Sequence, residues 1–359
     1  MKLSGVLLLL AAGAGCKGGV VQPADEALAL PSDTLEAKWA ELPLAASAGH
    51  GRWAVVSPEW NEAVIAEFGT GSLAPLGGPK QQAYSNPFML FTMGDTVYLG
   101  DWGKRRTTVW TAEGKLIDSI PVADSLRGAF PRARDAAGQL YFQVDPPPRR
   151  DGSGNQDSIA IVRAPGALTR FDTVTRLAPR ELAEVQRENS TRFEQRVFSG
   201  NDLWGVRPEG TVWIARRHRN QLITIDSRGT LAKGPELPDP VYEVTQADRD
   251  RHLQAYPVDV RPKETDLAWA LFFPPFDAAF TAPDGTVWLE KTKPALDSLR
   301  RIQVLDRGGN LQRVLVLRGQ ARLIAVGVEK LLLAEQFEKG VRLLEVRIPA
   351  KVVGEKREQ

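Results

Sequence analysis

The chain has 359 residues, of which 43% are hydrophobic and 25% are charged. This composition supports a large buried core and excludes a collagen-like or intrinsically disordered chain. The 46 Lys and Arg residues nearly balance the 44 Asp and Glu residues, and the resulting net charge of +2 is too small to indicate nucleic-acid binding.

The N-terminus has the pattern of an export signal. Residues 1–15 contain an apolar run from Leu3 to Ala12 and then small residues before Cys16, the only cysteine in the chain. A run of this length is too short to span a membrane and is typical of a signal peptide. We therefore predict that the mature protein is exported.

The residues around Cys16 resemble a bacterial lipobox, in which the cysteine becomes the lipidated first residue of the mature chain. Residues 16–33 would then form a lipid-anchored tether in the bacterial cell envelope, on the periplasmic side or at the cell surface. The Ala-Gly-Ala at 12–14 leaves an alternative, which is cleavage by an ordinary signal peptidase and plain export. The two alternatives differ only in the membrane anchor at Cys16.

One short phrase, a turn followed by a strand, occurs six times. Its clearest copies are "PEGTVWIAR" at 208–216 and "PDGTVWLEK" at 283–291. The Gly and its acidic neighbour suit a tight turn, whereas Val and Trp suit a pleated strand. Aligned on Trp288, the other copies place Ala54, Tyr98, Tyr141, Trp213 and Leu332 at the same position.

The spacing of these phrases predicts the architecture. The steps are 44, 43, 72, 75 and 44 residues, and a four-stranded propeller blade has a length near 44. The two long steps contain charged, helix-prone segments at 179–196 and 240–270. We therefore predict an all-β fold, a six-bladed β-propeller with two short helical insertions. A monomer is expected.

The blades can be placed along the chain. The propeller would occupy residues 34–350, and residues 351–359 would form a charged tail. The last blade lacks an outer strand, whereas the strand-like run at 34–46 has no partner, so we expect this run to close the last blade. The predicted blades lie near 47–80, 85–124, 128–178, 197–240, 271–318 and 320–350.

Three further features accompany the repeats. They are the turns "DSRGTLAKG" and "DRGGNLQRVL", the connector "PDPVYEVTQADRDR" at 238–251, and the signal peptide with Cys16. With the six phrases, they resemble the six-bladed β-propeller lipoproteins of bacteria, relatives of the NHL and gluconolactonase-like propellers. The resemblance covers about residues 35–350. It implies a shape and a compartment, but not a ligand, because one fold hosts many functions.

The same resemblance implies where a metal would bind. Gluconolactonase-like propellers hold a divalent metal in the channel through carboxylates and an amide from inner strands. In this chain Asp277 falls roughly at such a position, and Glu290 and Asp101, at the ends of second strands, could converge with it. A structural salt bridge is the alternative role of Asp277. No other cofactor is expected.

Other catalytic motifs are absent from the sequence. The three histidines, His50, His218 and His252, lack the spacing of zinc ligands. No nucleophile elbow, P-loop or dinucleotide-binding motif occurs. No catalytic residue is therefore assigned.

Basic residues cluster in the loops that follow the repeated strands. By the regularity of a propeller these loops lie on one face, around the mouth of the channel. Acidic residues take the same places in blades one and six, namely Glu59, Glu62, Glu335 and Glu338. The basic set, in blades two to four and at an inner strand, is Lys104, Arg105, Arg106, Arg149, Arg150, Arg216, Arg217, Arg219, Arg132 and Arg134.

These loops suggest a binding function. We expect an exported, lipid-anchored β-propeller that acts as a binding or scaffold protein. Its loop face would bind an anionic small molecule, glycan or protein. Arginines suit this role because they pair with carboxylate or phosphate in bidentate geometry. Ordinary solvated surface charge is the alternative reading of the loops. The alternative function is a metal-dependent hydrolase or lyase that acts in the channel.

Overall fold

The computed structural model describes residues 23–29, 31–77, 84–147, 158–187, 190–293 and 297–350. The predicted signal peptide, Cys16, Arg149, Arg150 and the C-terminal tail lie outside the described residues. In the described part of the chain no helix has the length and apolar character needed to cross a membrane.

The structure is a six-bladed β-propeller, as predicted, and each blade is built on four antiparallel strands. Two short strands, β1 (Asp25–Ala27) and β2 (Asp33–Ala37), precede the first complete hairpin. Blade one contains β3 (Leu44–Ser47), β4 (Arg52–Ser57), β5 (Glu62–Glu67) and β6 (Ser72–Pro75). Blade two contains β7 (Pro87–Met93), β8 (Thr96–Asp101), β9 (Arg106–Thr111) and β10 (Leu116–Pro121).

The remaining blades follow in chain order. Blade three contains β11 (Pro131–Arg134), β12 (Gln139–Val144), β13 (Ala160–Pro165) and β14 (Asp172–Arg176). The hairpin of β15 (Leu182–Arg187) and β16 (Ser190–Gln195) precedes blade four, which contains β17 (Leu203–Val206), β18 (Val212–Ala215), β19 (Gln221–Ile225) and β20 (Leu231–Glu236). Helix α1 (Gln246–Gln254) precedes blade five, with β21 (Phe276–Thr281), β22 (Val287–Lys291), β23 (Leu299–Leu305) and β24 (Leu311–Arg318). Blade six contains β25 (Arg322–Val326), β26 (Lys330–Phe337) and β27 (Gly340–Arg347).

The repeated phrase is the second strand of every blade, which explains why the chain repeats it. This strand packs against the neighbouring blades on both faces, so β18 is buried at every residue from Val212 to Ala215. The preceding glycine is needed at Gly210, where φ is +84° and a Cβ would lie 2.9 Å from the Asp135 carboxylate. The central residues of the other five second strands are buried as well.

The prediction that the first insertion is helical is wrong. Residues 179–196 contain the antiparallel hairpin β15–β16, in which Leu182 pairs with Gln195. Ala183 and Val185 are buried whereas Glu184 between them is exposed, and this alternation has the period of a strand. The charged composition of the segment had favoured a helix, but the burial of every second residue decides its structure.

The second insertion does contain a helix, α1. The Thr245 hydroxyl accepts the Asp248 N–H while the Asp248 carboxylate accepts the Thr245 N–H, and these two bonds form a capping box at the start of the helix. The two insertions also meet each other, because the Val197 N–H donates to the Ala268 carbonyl at 2.8 Å.

The ring closes through β2, which is the outer strand of blade six. It pairs antiparallel with β27, with Leu35 opposite Leu343. The predicted closing run at 34–46 is therefore too long, because Leu44–Ser47 instead forms the inner strand of blade one and blade one begins before residue 47. The predicted tether also contains structure, since β1 pairs parallel with β24 as a fifth strand of blade five.

One face of the propeller carries both insertions. In an up-and-down blade, the loop between strands two and three and the connection to the next blade leave from the same end of the sheet. We call this end, with the loops that follow β4, β8, β12, β18, β22 and β26, the loop face. The inner strands of all six blades begin at it.

Candidate functional site

A central channel of about 810 Å³ runs between the inner strands. Its volume is within the range of small-molecule sites. Most of its wall is apolar, with Leu90, Phe280 and Ile324 among its residues. Every blade contributes an inner-strand residue, including Leu44, Phe88, Arg132, Leu203, Ala278 and Arg322. The channel therefore lies on the axis of the propeller.

Polar groups concentrate at the loop-face end of the channel, which we call the channel mouth. Arg132 is the second residue of β11 and Arg322 is the first residue of β25, so both lie where inner strands begin. Asp202, directly before β17, and Arg180 also line the channel. The mouth thus contains three arginines and one carboxylate.

Arg132 lacks a close partner. It forms no hydrogen bond and no ion pair with any described residue. Arg132 is an exposed residue, but the atoms of the channel wall around it partly desolvate the guanidinium. This desolvation lowers the pKa of Arg132, while the negative charge of Asp145 partly offsets the effect. A guanidinium in this position favours the approach of an anion.

The neighbouring charges do not supply that anion. Asp145 already pairs with Arg180 at 3.3 Å, so one carboxylate serves both Arg180 and Arg132. Asp202 has a fully buried side chain and pairs with Arg216 at 2.6 Å. It also accepts the Ala178 N–H at 2.7 Å. The local charge at the Arg132 side of the mouth is therefore positive.

Most of the predicted basic residues have local partners. Arg105 pairs with Asp124 at 2.9 Å, and Arg134 donates to the Tyr98 hydroxyl and lies 5.8 Å from its ring centroid. Arg217 is buried, which lowers its pKa, and it lies 4.0 Å from Glu181. Lys104 and Arg219 are exposed and Arg106 is half-buried. Among the predicted cations that the structure describes, Arg132 alone lines the channel.

The predicted metal ligands fall into two groups. Asp277 and Glu290 come together around Arg322, whose Nη2 lies 3.6 Å from the first carboxylate and 3.1 Å from the second. Arg300 contacts Glu290 as well, at 2.9 Å. The guanidinium of Arg322 thus lies between the two carboxylates, where a cation would otherwise bind.

Asp101 has a different role in the structure. Its buried carboxylate accepts the backbone N–H groups of Ser85, Asn86 and Lys104 at 2.9, 3.0 and 3.2 Å. These contacts organise the loops of blade two. Across the described ranges, no three metal-ligating side chains converge.

Arg180, Asp202 and Arg322 are channel residues that the sequence reasoning missed. A signal for Arg322 did exist, because it opens an inner strand just as Arg132 does near the start of β11. Arg180 offered no such signal, since it lies within the insertion at 179–196, for which a helix was wrongly predicted.

Comparisons with known proteins agree with the fold. No protein-family model matches the sequence, and no curated protein matches it. A member of the DUF4221 family from Bacteroides vulgatus is similar in structure, with 10% identity, a TM-score of 0.52 and coverage of 91% of this chain and 97% of that chain.

Two other solved propellers are similar at lower scores. The calcium-binding protein regucalcin from Agrobacterium tumefaciens has 10% identity and a TM-score of 0.45, covering 91% of this chain and 97% of its own. Virginiamycin B lyase from Staphylococcus aureus has 10% identity and a TM-score of 0.44, covering 88% of this chain and 99% of its own. At 10% identity the similarity to the DUF4221 protein shows the β-propeller fold and no function.

Proposed function

We propose that this protein is a binding protein whose channel mouth receives an anionic group of its ligand. The observation that carries the proposal is Arg132, a water-accessible guanidinium that has no close partner among the described residues and lines the mouth of a largely apolar channel. A carboxylate or phosphate would pair with it in bidentate geometry. The attraction is stronger there than at an open surface, because the channel wall excludes part of the solvent.

The charge balance supports an anion over a cation. Two arginines, Arg132 and Arg180, lie near the single carboxylate of Asp145. One negative charge from a ligand would balance the remaining positive charge. The apolar wall behind them, with Leu90 and Phe280, favours a ligand that also has an apolar or ring-shaped body. A metal-dependent hydrolase or lyase would need Arg322 to leave Asp277 and Glu290, which it now bridges.

The test replaces Arg132 by Gln, which removes the charge and keeps a polar side chain of moderate length. Binding of galacturonate, benzoate and inorganic phosphate is measured by calorimetry at low and high salt. We expect at least one of these anions to bind the wild type, and Arg132→Gln to weaken it at least tenfold, about 1.4 kcal/mol or more. Arg219→Gln, at an exposed position of the loop face, is the control and should bind as the wild type does. Equal affinities in all three proteins, or no binding, would contradict the proposal.

We also propose that the protein is exported and anchored through Cys16. The support is the apolar run from Leu3 to Ala12 followed by small residues and this single cysteine. Cys16→Ser should move the protein from the membrane fraction to the soluble fraction, because two or three acyl chains bind a bilayer far more strongly than the surface of a propeller does. An unchanged fractionation, together with no lipid mass on the mature N-terminus, would overturn the anchor.

A further inference from the structure

A second cavity, of about 530 Å³, opens at the loop side of blade two. Trp102 and Phe130 form its aromatic side, and Arg105 and Arg127 line its edge. Phe88 connects it to the channel, because this ring lines the channel and packs against Trp102 and Phe130 at centroid distances of 5.9 and 4.9 Å. The aromatic cluster of Phe88, Trp102 and Phe130 therefore lies between the two cavities.

Trp102 presents an unusually open ring for such a large apolar side chain. It is 59% exposed, yet its orientation is restrained by edge contact with Phe88 and by Phe130 at 5.6 Å. A ring that is already held in place loses little conformational freedom when a ligand stacks on it. Trp102 thus has the properties of a preformed stacking platform.

The edge of this cavity is charged rather than apolar. Arg105 pairs with Asp124 at 2.9 Å, whereas the Arg127 side chain forms no hydrogen bond or ion pair with the residues that the structure describes. Both arginines have a left-handed backbone, with φ of 48° and 58°, a conformation that side-chain-bearing residues rarely adopt. The loop thus holds one unpaired cation beside the open ring.

An aromatic platform with a cationic edge matches a particular ligand chemistry. A sugar ring has an apolar C–H face, which stacks on an indole, and polar edges, which need hydrogen-bonding partners. A carboxylate on that ring would pair with Arg127 in bidentate geometry. A purely aromatic ligand would leave the charged edge unpaired, and an isolated phosphate would make no use of Trp102.

We propose that this cavity is a second subsite, which binds a carboxylate-bearing sugar ring of an acidic oligosaccharide whose neighbouring unit occupies the channel mouth. The proposal rests on the proposed function, since the channel supplies the first subsite. It extends that function from a single anionic group to an elongated glycan that contacts blades two and three.

The experiment compares ligand length and charge on the full-length protein. Calorimetry measures galacturonate, a galacturonate trimer, the neutral trimer cellotriose and the peptide tetraglutamate. We expect the galacturonate trimer to bind at least tenfold more tightly than the monomer. Trp102→Ala should remove about tenfold of the trimer affinity and leave monomer binding unchanged. Trp102→Phe should retain most of the trimer affinity.

The matched control is Trp60→Ala. Trp60 is 51% exposed and follows β4 as Trp102 follows β8, but it lines neither the channel nor the second cavity. The Trp60→Ala variant should bind the galacturonate trimer as tightly as the wild type does. Thermal melting of each variant checks that lost binding is not lost folding, and a variant that melts early is replaced by Arg127→Gln, for which the same loss of trimer affinity is expected.

Each outcome has a distinct meaning. Trimer affinity that depends on Arg132 but not on Trp102 would overturn the second subsite and leave the channel function standing. Tetraglutamate binding with the same dependence on Trp102 would replace the glycan by an acidic peptide, and equal binding of cellotriose would remove the need for a carboxylate. No binding of any probe would overturn both proposals.

Discussion

A chain that begins at Lys38, and so lacks β1 and β2, should unfold with a free energy lower than that of the full chain by about 5 kcal/mol. The loss includes the buried side chain of Leu35 and the backbone hydrogen bonds along β27. It also exposes Val341 and Leu343, which are fully buried in the intact blade. A free edge with such residues promotes aggregation as well.

Closure through β2 matters because no covalent link replaces it. The only cysteine is Cys16, so no intramolecular disulfide can join the first and last blades. For a chain of this size the melting temperature should fall by about 7 °C. The control begins at Ser32 and keeps β2 and the Ser32 N–H bond to the Glu345 carbonyl. If both truncated proteins melt together, β2 does not stabilise the ring.

Point variants test the contribution of β2 to stability without removing the strand. Leu35→Ala should cost about 2–4 kcal/mol, because it leaves a cavity between β2 and the core of blade six. Thr34→Ala, at an exposed neighbouring position of the same strand, should change the stability by less than about 0.5 kcal/mol. Denaturant unfolding with a constant m value provides both measurements.

Stability between pH 8 and pH 10 should depend on one buried amine, Lys291. Lys291 is 4% exposed. Within the described part of the chain its Nζ donates to the Asn220 amide oxygen at 3.4 Å and to the Pro240 carbonyl at 3.5 Å, and it lies 5.2 Å from the centroid of the Phe276 ring. Burial lowers the pKa of Lys291 from the ordinary 10.5 to about 8, and the negative charge of Asp239 limits the fall. The folded protein therefore binds this proton more weakly than the unfolded chain does.

The sign of the effect follows from that difference. Below about pH 8 the amine is protonated in both the folded and the unfolded state, and its burial lowers the free energy of unfolding by the full amount. Between about pH 8 and 10.5 the folded protein loses this proton before the unfolded chain does, so the free energy of unfolding rises. The total gain should be of the order of 3 kcal/mol. Lys291→Met should be more stable than the wild type at pH 7 and should lack this gain.

The measurement is urea unfolding at several pH values, expressed as the difference between each variant and the wild type. Other titrating groups cancel in this difference. Lys233→Met, at an exposed position of β20, should follow the wild-type curve at every pH. A parallel curve for Lys291→Met would show that Lys291 keeps an ordinary pKa in the folded protein.

The sequence by itself determined the number of blades and the position of the second strand in each. The reason is local and repetitive, because a strand that packs on both faces needs a continuous run of apolar residues after a turn, as in Val287 to Leu289. The capping box of α1 was equally local, since Thr245 and Asp248 lie three residues apart. Such signals need no knowledge of distant contacts.

Only the tertiary structure decided which charges have partners. Asp202 meets Arg216 from across blade four, and Glu290 meets Arg322 from the next blade. Ionic pairing depends on distances of a few ångströms between side chains far apart in sequence, so a count of loop arginines could indicate a basic face but could not assign its members. The fold leaves Arg132 unpaired in the channel, because it brings no described carboxylate within ion-pair distance. It also leaves Trp102 exposed in the second cavity, because no described side chain covers the open face of its ring.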